Sequence, residues 1–358
     1  MRQRKTVFIG ILLIGGFLFF FLLSQHYAKS FTELYPVTSL RYTEPISLQT
    51  AAEYKKSIAE NRESYDFWPT FWSETYSTAK TTRSETDTAN ILFDGDAGLV
   101  WPQEFLSGTF PGELDTDGCA VSDALAWALW GSTDVTGLSF ELDGVVKTVR
   151  GVFRQEEAIC FTAGTAKDQK GWYNVELAGT YQEDAYTQVE SFVQNLGLGT
   201  PDTIVDHQFL SGAAGILFWI PCLYAFVIAL LFSVRYIKKM SPLFRGGSIL
   251  LLLFCFALLL PIFLDTLPSW LLPTKWSDFN FWEALLDRIQ GYLQSWVSMV
   301  PTMKDIQAKL ILIKLLASVF LFLFLLAHNQ LKLSRFTPQS THTPSTASHT
   351  EETKTVVS

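Results

Sequence analysis

The sequence predicts an α+β domain outside the cytoplasm on a four-helix transmembrane bundle, with one helix before the domain and three after it. Three observations predict this. Four apolar blocks, Val7 to Ser24, Phe209 to Val234, Ile249 to Leu264 and Leu310 to Ala327, each approach the length that crosses ~30 Å of hydrocarbon as a helix. Basic clusters flank those blocks on one side of the membrane only. In the long segment 25–208, turn signals, period-2 alternation and helical periodicity are interleaved.

The composition agrees with a membrane protein: 48% of the 358 residues are hydrophobic, 29 are Phe, and the mean hydropathy is +0.20. Backbone amides in lipid must bond within their own segment or around a closed barrel, and the alternating runs of about ten residues that a barrel needs are absent. The basic start and first apolar block look like a signal peptide. The block is longer than the roughly 7–15 residues of such a core and no small-x-small site follows it, so an uncleaved anchor is expected.

Arg2, Arg4 and Lys5 precede the first block, Arg235, Lys238, Lys239 and Arg245 lie between the second and third, and Lys332 and Arg335 follow the fourth. Four crossings put all three clusters, and hence both termini, in the cytoplasm. The expected organisation is a cytoplasmic start at 1–6, a first helix at 7–24, an outside domain at 25–208 and a second helix at 209–234. A cytoplasmic loop at 235–247, a third helix at 248–266, an outside segment at 267–309, a fourth helix at 310–328 and a disordered cytoplasmic tail at 329–358 complete it. The outside domain holds 28 Asp and Glu against 12 Lys and Arg, a net charge of −16. That acidity argues against nucleic acid as a partner and suits a solvated exterior, while the helices take membrane lipid.

Within the domain, Thr50 to Ser64 reads as an exposed helix in which Glu53 and Lys56 can pair. Phe67, Trp68, Phe71, Trp72 and Tyr76 are dense enough in aromatic surface to cover an apolar patch or build a small core. Thr81 to Thr88 reads as a polar turn, followed by strands at Asn90 to Phe93 and Leu99 to Trp101 around the turn Asp94-Gly95-Asp96. After a turn at Asp115 to Gly118, Cys119 to Val121 is a short strand, Ser122 caps a helix with Leu125, Ala126 and Leu129 on one face, and Gly131 ends it. Leu138, Phe140 and Leu142 alternate as a strand, Asp143-Gly144 is a two-residue hairpin signal, and Val145 to Val152 returns. Asp184 to Asn195, with Ala185, Val189, Phe192 and Val193 on one face, is a further helix.

Residues 105–154 resemble the MacB-type periplasmic core domain of FtsX-like ABC transporter permeases. The shared run is Val121-Ser122, Leu125-Ala126, Leu129-Trp130-Gly131, Gly137, Asp143-Gly144 and Val149-Arg150-Gly151-Val152. The resemblance implies that Ser122, Leu125, Ala126, Gly131, Gly137, Gly144, Gly151 and Val152 are structural. It further implies a plasma-membrane permease subunit without cofactor, working beside a separate ABC ATPase as a homodimer or with a related permease. The expected order of one helix, a large domain and three helices is that of the same family. The loop 235–247 departs from it: RYIKKMSPLFRGG carries no acidic residue, and Pro242 limits its helix. That departure favours the alternative of a membrane-anchored extracytoplasmic binding or regulatory module.

Chemistry is scarce. No P-loop, H-E-x-x-H, G-x-S-x-G or C-x-x-C motif occurs, so the chain reads as no enzyme with no metal and no cofactor. His26 and His207 sit alone at helix ends. Cys119 and Cys160 share the outside domain, where they can bridge or stay apart, while Cys222 and Cys255 fall in helices. Lys314 and Asp265 lie near helix ends, and Pro221 and Pro261 are expected to kink their helices. Trp282, Leu285, Leu286, Ile289, Leu293, Trp296, Val297 and Val300 recur at helical spacing, as in a helix lying on the membrane or packed on the domain, with Trp270 and Trp276 beside it as an aromatic belt.

Overall fold

A computed structural model describes residues 2–60, 67–164, 171–179, 185–196, 198–238, 241–265, 269–271 and 280–335. Chain order is α1 (Arg2–Leu34), β1 (Thr38–Ile46), α2 (Leu48–Glu60), β2 (Phe67–Lys80), β3 (Glu85–Asp94), α3 (Ala97–Val100), β4 (Phe105–Gly108) and β5 (Gly118–Ser122). There follow α4 (Asp123–Trp130), β6 (Ser139–Leu142), β7 (Val145–Phe153), β8 (Ile159–Ala163), β9 (Trp172–Gly179), α5 (Ala185–Leu196) and β10 (Thr203–Val205). The chain then forms α6 (His207–Ile237), α7 (Pro242–Asp265), α8 (Asn280–Ser298) and α9 (Met303–Arg335).

The strands form one mixed sheet in the order β10-β1-β9-β2-β3-β8-β5-β7-β4, with β6 bridging β2 and β7. Pairings are antiparallel except β3 with β8 and β5 with β7. Alternation sorts the side chains of the β10–β2 half. Leu40, Phe71, Val175 and Leu177 point to a core closed by Ala51, Tyr54 and Ile58 of α2 and Val189, Phe192 and Val193 of α5. Their neighbours Ser39, Arg41, Trp72, Glu74 and Glu176 fall on the opposite face, toward the start of α9. In the other half, Leu125, Ala126 and Leu129 of α4 pack on Cys119, Val121, Val149, Val152 and Cys160.

The expected strand–helix–hairpin unit is present in detail. Ser122 Oγ accepts from Leu125 N–H at 3.1 Å as N-cap, and Gly131 ends α4 at φ +69°. Asp143 (φ +49°) and Gly144 (φ +87°) form the turn between β6 and β7, the left-handed pair that a two-residue hairpin requires.

Elsewhere the sequence expectations need correction. Leu99–Trp101 is no strand: the Asp96 carboxylate accepts from Gly98 N–H and caps the single turn α3 instead. The polar turn is only 81–84, and β3 begins at Glu85 because Glu85 to Thr88 pair with Ser77 to Lys80 along the β2 ladder. In α2, Lys56 reaches Glu60 at 3.9 Å, not Glu53, which accepts from Gln49. The first helix does not stop at Ser24. It runs on to Leu34, because Phe31, Leu34 and Tyr35 are buried in the core beneath the sheet with Trp72, Phe93, Trp101 and Phe161.

Among the described residues, two helical stretches are long and apolar enough to cross a membrane, His207–Ile228 in α6 and Met303–His328 in α9. Both pack against α1, and α6 packs against α9. Pro221 and Pro261 lie inside α6 and α7, and Pro242 opens α7, where its missing N–H costs nothing. α8 has two faces. Leu285 and Trp296 are buried, the latter edge-on to Phe31, while Trp282, Leu286, Leu293 and Val297 are exposed. Trp270 stacks obliquely on Phe209. Trp276 and the tail from 336 lie outside the described residues, as do the side chains of Asp265 and Cys255.

Candidate functional site

Four ionised side chains meet where the sheet is seated on α9, and all four are buried: Arg41 of β1, Glu176 of β9, and Lys304 and Asp305 of α9. Ser39 and Glu176 are directly opposed across β1 and β9, so Arg41, two residues along, projects from the same face. Glu176 Oε1 accepts from Ser39 Oγ at 2.7 Å and Trp72 Nε1 at 3.1 Å, and lies 3.2 Å from Lys304 Nζ and 3.5 Å from Arg41 Nη1. Its second oxygen has no hydrogen-bond donor among the described residues. Asp305 Oδ1 accepts from Arg41 Nη2 at 3.2 Å and from the Tyr35 hydroxyl at 2.6 Å. The Arg41 guanidinium rests 4.9 Å over the Trp72 ring, and Lys304 Nζ sits 4.9 Å over Tyr35 while donating to the Val100 carbonyl.

Two cations face two carboxylates, so the group is neutral as a whole. A buried set of this kind is tolerable only when its members are mutually paired. Burial, then the Asp305 charge, holds the Tyr35 phenol well above its ordinary value, so it stays a proton donor to Asp305.

The same residues begin α9. Asp305 Oδ2 accepts from Thr302 N–H at 3.0 Å and from Thr302 Oγ1 at 2.7 Å, while Thr302 Oγ1 lies 3.4 Å from Asp305 N–H, a reciprocal cap. Glu74 of β2 accepts from Met303 N–H at 2.8 Å, satisfying a helix donor from the sheet. Burial raises the Glu74 pKa against the opposing pull of that hydrogen bond. α6 is fastened beside it: Asp206 caps it through Gln208 and Phe209 N–H, and His207 Nδ1 donates to the Tyr35 carbonyl. Three helices are thus pinned to one sheet face. Such an arrangement can transmit position; it contains no nucleophile with a base, and among the described residues no three His, Cys, Asp or Glu are grouped to hold a metal.

The motif residues lie elsewhere and are structural in their contacts. Ser122 Oγ also accepts from Ile159 N–H at 3.0 Å, tying α4 to β8. A Cβ on Gly151 would come 2.5 Å from the Thr109 carbonyl, so only glycine fits between β4 and β7. Gly137 N–H donates to Val149. Leu125, Ala126 and Val152 are core, and Gly144 holds its turn. Cys119 and Cys160 are both buried free thiols, on neighbouring strands β5 and β8. Their contact with each other and burial raise the Cys160 thiol.

No protein-family model and no curated protein matches the chain. Among solved structures, the extracellular domain of the ABC-type transporter YknZ from Gram-positive bacteria aligns at 14% identity and a TM-score of 0.37, covering 45% of this chain and 92% of that one. The periplasmic region of MacB from Actinobacillus actinomycetemcomitans aligns at 10% identity and a TM-score of 0.39, covering 49% of this chain and 91% of that one. The sheet domain is similar to the MacB-type outer domain. It is the family that residues 105–154 resemble.

Proposed function

We propose that the chain is a non-enzymatic, permease-like membrane subunit in which α1, α6, α7 and α9 form the four crossings and the MacB-type domain lies outside. It works with a separate ATPase in an ABC-type transport or mechanotransmission complex, as one of two permease copies, with both termini in the cytoplasm. The observation that carries this reading is the buried ionic cluster. A domain that is merely tethered needs a flexible linker, whereas here Lys304 and Asp305 of a membrane-crossing helix are locked into the sheet by Glu176, Arg41 and Tyr35. The exposed face of α8 (Trp282, Leu286, Leu293) lies on the outer membrane surface in this reading. Purification of the full-length protein in mild detergent, with mass spectrometry and an ATPase assay on what accompanies it, tests the proposal. A stoichiometric P-loop ATPase is expected.

The alternative, an anchored binding or regulatory module without ATP coupling, is favoured by the loop between α6 and α7, which is short, basic and devoid of acidic residues. Recovery of an envelope protein and no nucleotide-binding protein would select it.

A further inference from the structure

Between α1, α9 and the underside of the sheet domain lies a cleft of about 860 Å³. Its α9 wall is Gln307, Ile311 and Lys314, one helix face at i, i+4 and i+7 that reaches about 10 Å along the axis. His26 and Tyr27 of α1 belong to the other wall. Gln155 Nε2 donates to Gln307 Oε1 at 3.0 Å at the domain end. One turn beyond Lys314, the buried hydroxyls of Ser24 and Ser318 hydrogen-bond at 3.0 Å and close the α1–α9 seam.

Lys314 is the feature that needs explaining. It sits within the apolar block of α9, between Ile313 and Leu315, and makes no ion pair or hydrogen bond with another described residue. The cleft's own carboxylates are engaged: Glu33 lies 3.5 Å from Lys29, and Glu104 lies 3.6 Å from Arg154. Gln103, also on the cleft, has a buried amide nitrogen without an acceptor. The cleft therefore offers a cation without a partner among the described residues and no spare carboxylate, near the domain end of the α9 apolar block. Beyond it, at i+7 and i+10 from Lys314, Leu321 and Phe324 present an exposed apolar surface on the same side of α9. A charged side chain at such a depth is costly unless it meets a counter-charge, which makes it a site by default.

We propose that this cleft binds the phosphate headgroup of an anionic amphiphile, with Lys314 as its charge partner and its acyl chains running down α9. The inference rests on the proposed reading of α9 as a membrane-crossing helix and is independent of ATPase coupling.

Full-length protein in detergent micelles is titrated separately with dioctanoyl phosphatidylglycerol, dioctanoyl phosphatidylcholine and inorganic phosphate, and bound molecules are counted by native mass spectrometry. The phosphatidylglycerol is expected to bind once per chain and more tightly than either other probe. Lys314→Met should weaken it about fivefold or more, the effect of one lysine beside an anionic headgroup. Lys314→Arg should retain it, and Lys80→Met, at the exposed end of β2, should leave it unchanged. Met suits an apolar helix, so the fold survives the test variant. Phosphatidylglycerol binding that ignores Lys314→Met would show a lysine that only snorkels, and inorganic phosphate binding as tightly would show a plain anion site; either overturns the proposal.

Discussion

Lys304, at the start of α9, and Glu176, in the middle of the sheet, lie 3.2 Å apart with neither side chain more than 1% exposed. The pair joins a helix long and apolar enough to cross a membrane to the sheet domain.

Removing one partner strands the other in a dry site, at a cost of about 3–5 kcal/mol. Lys304→Met or Glu176→Gln alone should therefore lower the unfolding midpoint of the full-length protein sharply. The double variant leaves Arg41 and Asp305 as a balanced pair and keeps an acceptor for Ser39 and Trp72, so it should recover more than half of the loss. Additive single effects in that cycle would refute the coupling.

Glu74 makes the opposite kind of contribution. Its pKa is raised in the folded protein, so the folded state binds its proton more readily than the unfolded chain does, whose value is about 4.3. The stability this supplies is complete below about pH 4.3 and is lost as the pH rises through the folded value. Glu74→Gln keeps an acceptor for Met303 N–H and removes the buried charge. Stability at pH 7 should hold or rise, and the fall in stability above pH 4.3 should flatten in denaturation curves measured across pH. A loss above about 1 kcal/mol at pH 7 would mean that the charge on the helix N-terminus outweighs its burial.

Two glycines of the 119–152 run separate space from strain. At Gly131 a side chain meets nothing within 4 Å, so Gly131→Ala carries only the left-handed backbone penalty of about 1 kcal/mol. At Gly151 the obstacle is the Thr109 backbone at 2.5 Å, which cannot rotate away. Gly151→Ala should cost more, about 1–3 kcal/mol, and equal losses in urea unfolding would contradict the packing.

Ser122→Ala removes one hydroxyl that serves two backbone donors, Leu125 N–H and Ile159 N–H. The expected loss is about 1–3 kcal/mol, with Ser122→Thr recovering part of it. Hydrogen exchange should accelerate at both amides; exchange confined to Leu125 would assign the residue to capping alone.

The unit β5–α4–β6–β7 was legible because its signals are local: a cap, a helix-ending glycine and an Asp-Gly turn spaced within one short stretch. β1 and β9 were not, since Ser39-Leu40-Arg41 and Asn174-Val175-Glu176 alternate polar with apolar as an exposed strand does, yet both faces are covered. The ionic cluster was illegible for the same reason, compounded by distance. Arg41 and Asp305 are 264 positions apart, and nothing in the neighbourhood of either announces the other. Only Thr302-Met303-Lys304-Asp305 carried a readable trace, a capping pattern at the head of an apolar run. The helix α1 was read to the end of its apolar block; hydrophobicity marks where lipid stops, and the helix stops where the domain core does.

α1 and α9 each run unbroken for 33 residues, about 50 Å, and each meets the folded domain at one end. Neither contains a proline, and both ends at the sheet are clamped. For rigid rods of that length, a tilt of only 5° about one end would displace the other by roughly 4 Å. In the proposed topology, motion at the far ends of these helices would reach the domain as a swing of the whole sheet.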